Sequence, residues 1–180
     1  MNSPKTSESR SSQEEQLIEL MNTYGDMVIR LAYTYVKQKQ IAEDISQEVF
    51  ISCYQNLGKF NNQSSYKTWL YRITINKCKD YLKSWNKRKV IPVDHSNMEN
   101  IMTHFVVENV DLDRELFWLV MKLPIKHREV IILHYYEDQS IKEISEIIHI
   151  NESTVKTRIH RARQKLKKTL GEVGLNEEIL

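Results

Sequence analysis

Apolar residues recur along most of this chain every three or four positions, the period of helices that bury one face, and strand-type alternation is scarce. Leu17, Leu20, Met21, Tyr24, Val28, Leu31, Ala32 and Tyr35 follow this template, with Gly25 inside it, and predict a first long amphipathic helix. The segment VKQKQ separates it from a second helix beginning near Ile41, in which Ile45, Val49, Cys53 and Leu57 repeat every four residues and should face a core. Gly58 should end that helix, and the polar loop KFNNQSS follows. A third helix is predicted from roughly Tyr66 to Lys87, with Leu70, Ile73, Lys77 and Tyr81 along one flank. From about Lys89 to Asp111 the period fails around Pro92, and acids collect, so a linker is the natural reading. Beyond it DLDRELFWLVMKL predicts a helix that stops at Leu123–Pro124, because a residue before proline avoids the helical region. IKHREVIILHYYED predicts another, with Val130, Leu133 and His134, or Ile131 and Tyr135, facing inward.

The stretch from Ser140 to Lys168 carries the clearest local signals. Ser140 and Glu143 have the spacing of a capping box, and Ile141, Ile144, Ile147 and Ile148 then recur at helical intervals. His149, one of the few non-glycine residues that tolerate positive φ, stands where the chain must leave this helix. Asn151 is a good N-cap for a second helix with Val155, Ile159, Ala162 and Leu166 on one face. From Glu152 to Lys168 there are seven Lys or Arg against one Glu, whereas the whole chain carries only +2. Such placement points to a polyanion, and two helices with a tight turn and a basic second helix describe a helix-turn-helix. Ser153, Thr154, Lys156 and Thr157 would then face base edges, and the later cations phosphates. The plainer alternative is a solvated basic helix closing a bundle.

Composition narrows the classes. With 180 residues, only four Gly and three Pro, the chain fits one or two small all-helical domains. No apolar run approaches the roughly 18 residues of a membrane span, and MNSPKTSESRSSQEEQ lacks the apolar core of a signal peptide, so a cytoplasmic protein is expected. Cys53 and Cys78 lie in apolar helical patterns without ligand spacing to any His, which favours buried reduced thiols. No phosphate loop, metalloprotease motif or nucleophile elbow occurs, so neither an enzyme nor a metal or cofactor is expected.

Two further surfaces stand out. Asp44, Gln47, Glu48 and Ile51 form a mostly acidic stripe on the second helix, either a solvated face or a docking surface for a protein, with Phe50 or Ile51 as apolar anchor. Between Tyr66 and Lys89 eight Lys or Arg stand against one Asp, interleaved with Trp69, Tyr71, Tyr81 and Trp85, the composition that holds single-stranded nucleic acid. Phe60, in the preceding loop, could stack on an exposed base or pack beneath the loop. The linker's opposite charge would keep it off duplex DNA, and some 20 extended residues reach about 70 Å at ~3.4 Å each. Its apolar IMTHFVV run should pack on something.

AEDISQEVF, SSYKTWLYRITINKCKDYL after a loop Phe, and LPIKHREVIILHYYEDQSIKEISEIIHINESTVKTRIHRARQKL together resemble conserved regions two and four of bacterial extracytoplasmic-function sigma factors of the sigma-70 family. The resemblance runs from about residue 15 to 170, in the family's order. It implies an all-α chain of two small domains joined by a flexible linker: a disordered tail at 1–12, a region 2 bundle of three or four helices at 13–88, a linker at 89–111, a region 4 helix-turn-helix at 112–170 and a tail at 171–180. Asp44, Gln47, Glu48 and Phe50 match the part that grips the clamp helices of core RNA polymerase. Lys59, Phe60, Asn61 and Ser65 match the loop that captures a base flipped from the minus-ten element, and Trp69, Arg72, Asn76, Lys77 and Asp80 the helix bordering that strand. Ser153, Thr154, Lys156, Thr157, Arg158, His160, Arg161 and Arg163 match the helix that enters the major groove of the minus-thirty-five element. The resemblance therefore implies a transcription initiation factor whose partners are core polymerase and promoter DNA, duplex and single-stranded, with no small-molecule substrate. It also implies control by an anti-sigma factor, often membrane-anchored, which would hold this protein at the inner face of the membrane, as in stress responses. The rival readings are a stand-alone helix-turn-helix regulator binding an operator as a dimer and a strand-transferring enzyme. The latter would need a metal or nucleophile cluster beyond the weak pair Asp44 and Glu48.

Overall fold

The computed structural model describes residues 5–61, 64–88 and 110–173, all of whose regular structure is helical. The chain divides into two compact units, Met1–His95 and Ser96–Leu180. The expectations for the linker at 89–109, for Asn62 and Gln63, for the side chain of Trp85 and for residues 174–180 lie outside the described residues.

In the first unit, α1 (Lys5–Val36), α2 (Lys39–Leu57) and α3 (Tyr66–Arg88) pack against one another pairwise. The four-residue repeat of α2 does what its spacing predicts: Ile45, Val49, Cys53 and Leu57 are all buried. On α1, Leu20, Val28, Leu31, Ala32 and Tyr35 are buried too, while Met21 from the same predicted stripe is 46% exposed. The helix starts at Lys5, inside the stretch whose composition suggests a tail. Once the apolar part from Leu17 is helical, each added residue costs little, and the Ser, Glu and Gln upstream offer no proline or glycine to stop propagation. Within them Ser11 Oγ donates to Glu15 Oε1 at 3.4 Å. Lys37 ends α1 in the left-handed region, φ 58°, with its N–H on Tyr33 O at 2.8 Å.

The core face of α3 differs from the predicted flank. Leu70, Tyr71, Thr74, Ile75 and Cys78 are buried, and Ile73, Lys77 and Tyr81 stand half-buried beside them. Tyr71 and Ile75 outweigh Ile73 in apolar area, and Thr74 enters the core because its hydroxyl donates to Leu70 O at 2.7 Å. Cys53 and Cys78 are buried free thiols.

The second unit comprises α4 (Val110–Lys122), α5 (Ile125–Ile131), a π turn over Ile132–Tyr136, α6 (Ile141–Ile148) and α7 (Glu152–Val173). Its core joins Phe117, Val120 and Met121 to Val130–Leu133, Ile144, Ile147, Val155, Ile159, Ala162, Leu166 and Leu170. Arg128, only 4% exposed, closes the C-terminal end of α4 with Nη1 donating to Met121 O at 2.7 Å. The π turn is the main departure from the predicted pattern. Glu137 N–H reaches back to Ile132 O at 3.1 Å, closing the wider turn that follows the buried run His127–Leu133. Within that turn Tyr135, expected inside, is 46% exposed.

Candidate protein and nucleic acid surfaces

The helix-turn-helix is built from caps that the sequence spells out. Ser140 Oγ accepts from Glu143 N at 3.3 Å while Ser140 N donates to Glu143 Oε2 at 2.8 Å, so α6 begins in a complete capping box. His149 leaves it with φ 56° and ψ 50°, the left-handed conformation a tight turn needs. Asn151 Oδ1 then accepts from Thr154 N at 2.8 Å, Thr154 Oγ1 at 2.6 Å and Ser153 Oγ at 2.9 Å. One carboxamide oxygen thus starts α7 and fixes the two side chains nearest its tip.

Along α7 the predicted contacts separate into two groups. Ser153, Lys156, Thr157, His160 and Arg161 are exposed on one continuous surface, with Arg163 half-buried at its border. Thr154 is half-buried and turned to Asn151, and Thr157 Oγ1 donates to Ser153 O at 2.8 Å. Arg158 does not join the surface. Its Nη1 lies 2.7 Å from Oε1 of Glu129, whose side chain is 4% exposed, so this guanidinium ties α7 to α5. Nothing in local spacing marks Arg158 as different from Arg161, since the distinction arises from a carboxylate distant in sequence. His127, also buried, faces the same junction with Nδ1 3.4 Å from Arg158 O. Burial holds its pKa below the ordinary histidine value; the Arg158 carbonyl opposes that shift and Lys126, Lys165 and Arg158 add to it.

An open cleft of about 590 Å³ runs beside α7. Lys156, His160, Arg163 and Lys167 line one side, and His134 and Tyr135 belong to its opposite wall. His134 Nδ1 meets Gln139 O at 2.9 Å and its ring packs edge-on against Tyr135. Sequence periodicity missed Tyr135 as a surface residue because it counted through the π turn.

In the first unit, Asp44, Gln47 and Glu48 are exposed along α2, and Ile51 is 58% exposed beside them. Phe50 is 6% exposed and belongs to the core, so the apolar group this face offers is Ile51. Between the acidic edge and the cationic helix, Lys77 Nζ lies 3.2 Å from Glu48 Oε2. Asn76 and Asp80 are exposed, and Asp80 lies 3.8 Å from Lys83.

Between α2 and α3 an aromatic group forms. Phe60 stacks on Tyr66 at 4.4 Å and lies 4.8 Å from Trp69, all three half-buried. Lys59, Asn61 and Ser65 are exposed around it, and Arg72 is half-buried on the next turns of α3. Ser65 Oγ accepts from Thr68 N at 3.1 Å and so caps α3. Phe60 is therefore packed against Tyr66 and Trp69 while part of its surface stays exposed. Gln16 was not foreseen: its Nε2 donates to the Tyr66 hydroxyl at 2.6 Å, a contact across fifty positions of sequence. Among the described residues no group of three or more His, Cys, Asp or Glu could hold a metal, and no helix is long and apolar enough to cross a membrane.

Comparison with known proteins agrees with this geometry. The family model for Sigma-70 region 2 matches residues 20–88 and that for Sigma-70 region 4 matches residues 115–166. The chain is 31% identical over 172 residues to the ECF RNA polymerase sigma factor SigW of Bacillus subtilis, covering 89% of this chain and 92% of the relative. It is 33% identical over 156 residues to the ECF RNA polymerase sigma-E factor of Escherichia coli, covering 81% of each. Among solved structures it shares a fold with CnrH in complex with the cytosolic domain of CnrY, with a TM-score of 0.66 at 20% identity, covering 92% of this chain and 94% of that one. It shares the same fold with the sigma factor RpoE bound to the anti-sigma factor NepR from Bartonella quintana, with a TM-score of 0.65 at 18% identity, covering 88% and 96% of the two chains.

Proposed function

Because the chain belongs to the extracytoplasmic-function RNA polymerase sigma factors of the sigma-70 family, we propose that its acidic edge and its two cationic surfaces serve a single initiation event. A sigma factor binds core RNA polymerase and directs it to promoters, and contributes no catalysis of its own. In this protein Asp44, Gln47 and Glu48 engage the polymerase clamp, with Ile51 as the apolar anchor at the centre of the contact. Ser153, Lys156, Thr157, His160 and Arg161 enter the major groove of the minus-thirty-five element, the tip reading base edges and the later cations holding phosphates. Arg158 acts behind them by setting the seat of α7 on α5. Lys59, Phe60, Asn61 and Ser65 receive an unpaired base of the minus-ten element, while Trp69, Arg72, Asn76, Lys77 and Asp80 border its strand.

The energetics favour this division. Flipping a base costs a few kcal/mol, which stacking on an aromatic platform and phosphate contacts offset. Each base contact discriminates by only ~1 to 3 kcal/mol, so either module alone is a weak reader. Held on one polymerase, the second contact becomes intramolecular and the two weak readings multiply. The solved complex of the sigma factor RpoE with the anti-sigma factor NepR supports a further element of the reading: a cytoplasmic factor kept inactive by a partner that covers these surfaces.

The observation that carries the proposal is the exposed row Ser153, Lys156, Thr157, His160 and Arg161, offered by a fully capped helix-turn-helix. Run-off transcription with core polymerase tests it: accurate transcripts should require this protein. Asp44→Lys should abolish core binding with the helical content intact. Normal polymerase binding by that variant would remove the acidic edge from the proposal, and tight operator binding without polymerase would favour a stand-alone regulator.

A further inference from the structure

One edge of α1 touches both ends of the loop assigned above to the minus-ten strand. At the loop's start is Gly58, whose φ of −67° is ordinary helical backbone, so no left-handed turn demands a glycine there. Gln13 lies over it: a Cβ added at Gly58 would come within 2.7 Å of Gln13 Nε2, the movable end of a flexible side chain. At the loop's end is Tyr66, whose hydroxyl accepts from Gln16 Nε2 at 2.6 Å. Gln13 and Gln16 are three residues apart, hence on one face and about 4.5 Å apart along the axis. Both precede residue 20, where the region 2 match begins.

Without that edge the aromatic group would be loosely held. Tyr66 is the first residue of α3, so its backbone is fixed by the Ser65 cap but its ring projects from a helix end. The Gln16 contact fixes the far end of the ring, Phe60 stacks on its face at 4.4 Å, and Trp69 closes the group from the next turn of α3. Phe60 itself sits in a loop, tied locally by its N–H to Leu57 O at 3.1 Å. A platform that receives a base gains most when its plates are already oriented, because ordering side chains on binding subtracts from affinity.

We infer that Gln16 is a positioning residue for strand opening: it holds the Tyr66 ring at the end of the reading loop and so presets the Phe60–Tyr66–Trp69 platform for an unpaired minus-ten base. The inference rests on the assignment of that loop, and the test separates the two. Holoenzyme is assembled from core polymerase with the wild-type chain or with Gln16→Leu, Tyr66→Phe, the pair combined, Gln16→Glu and Phe60→Ala. Core affinity, promoter binding and the rate of strand opening at saturating promoter are measured separately, the last by a fluorescent base analogue in the minus-ten element.

Gln16→Leu should slow opening about fivefold, the factor corresponding to a single hydrogen bond of ~1 kcal/mol. Core affinity and promoter binding should stay unchanged, which a general loss of folding would not produce. Tyr66→Phe should have the same effect, and the combined variant should be no slower than either alone, because both remove one interaction. Gln16→Glu should restore opening, since a carboxylate accepts from the Tyr66 hydroxyl. Wild-type opening by Gln16→Leu, or additive losses in the combined variant, would overturn the inference while Phe60→Ala still blocks opening. Normal opening by Phe60→Ala would instead overturn the assignment of the loop, and the inference with it.

Discussion

The bridge between Glu129 and Arg158 gives the sharpest quantitative test, because the same arginine would behave quite differently as a DNA contact. Glu129 is 4% exposed, Arg158 retains 26% of its side-chain surface, and the bonded atoms are 2.7 Å apart. Removing one partner of a fully buried pair costs about 3–5 kcal/mol; with the arginine partly solvated, about 2 kcal/mol is expected for Arg158→Met. In a unit of this size that lowers the melting midpoint by roughly 10 °C. Replacing both groups, as Glu129→Leu with Arg158→Met, should recover most of the loss, since no charge is then left in the interior. The companion measurement is the salt dependence of promoter binding by the holoenzyme. A phosphate contact adds about 0.9 to the slope of log affinity against log salt, so Arg161→Met should flatten the slope by about that amount. Arg158→Met should weaken binding and leave the slope where it was. A flattened slope with an unchanged melting midpoint would show that Arg158 reaches DNA, and the assignment of Arg158 to the bridge with Glu129 would be wrong.

Two other outcomes follow from the second unit. His127 has its folded-state pKa lowered by burial among Lys126, Lys165 and Arg158, so between that value and the unfolded value near 6.5 the unfolded chain binds more protons. The contribution is fully present above about pH 6.5 and is lost as pH falls through the folded value. Urea titrations of wild type and His127→Gln across pH 5 to 8 should therefore converge on acidification; parallel curves would exclude the histidine as the cause. Asn151→Ala should cost about 1 kcal/mol and raise hydrogen exchange in the first turn of α7, whereas Asn151→Gly should cost only a few tenths. Equal protection in all three chains would refute the capping role.

What could be read from the sequence was what neighbouring residues decide among themselves. The Ser140–Glu143 box, the Asn151 cap and the four-residue repeat of α2 are local agreements of propensity and pattern, and each is present as spelled. The departures arise where distant segments intervene. Arg158 turns inward because Glu129, twenty-nine positions away, needs a counter-charge. Tyr135 turns outward because tight burial of Val130 to Leu133 is met by a π turn that no helical period anticipates. On α3 the buried face runs through Tyr71 and Ile75, and Ile73 stands at its edge. Phe50, which a motif match would assign to docking, is taken by the core, and Gln16 earns its role only when α1 lies beside the loop.

The two sulfurs of the first unit have a consequence of their own. Burial pushes Cys53 up to about 11 and, against a smaller opposing pull from a backbone hydrogen bond and Lys79, Cys78 up to about 12. Oxidants and alkylating agents attack the thiolate, so at neutral pH the folded bundle offers them almost no target. One sulfur lies on α2, the helix that bears the acidic edge, and the other on the cationic helix α3. Their reactivity is thus a clock for separation of those helices: it stays silent while the bundle is closed and runs at the pace of its opening.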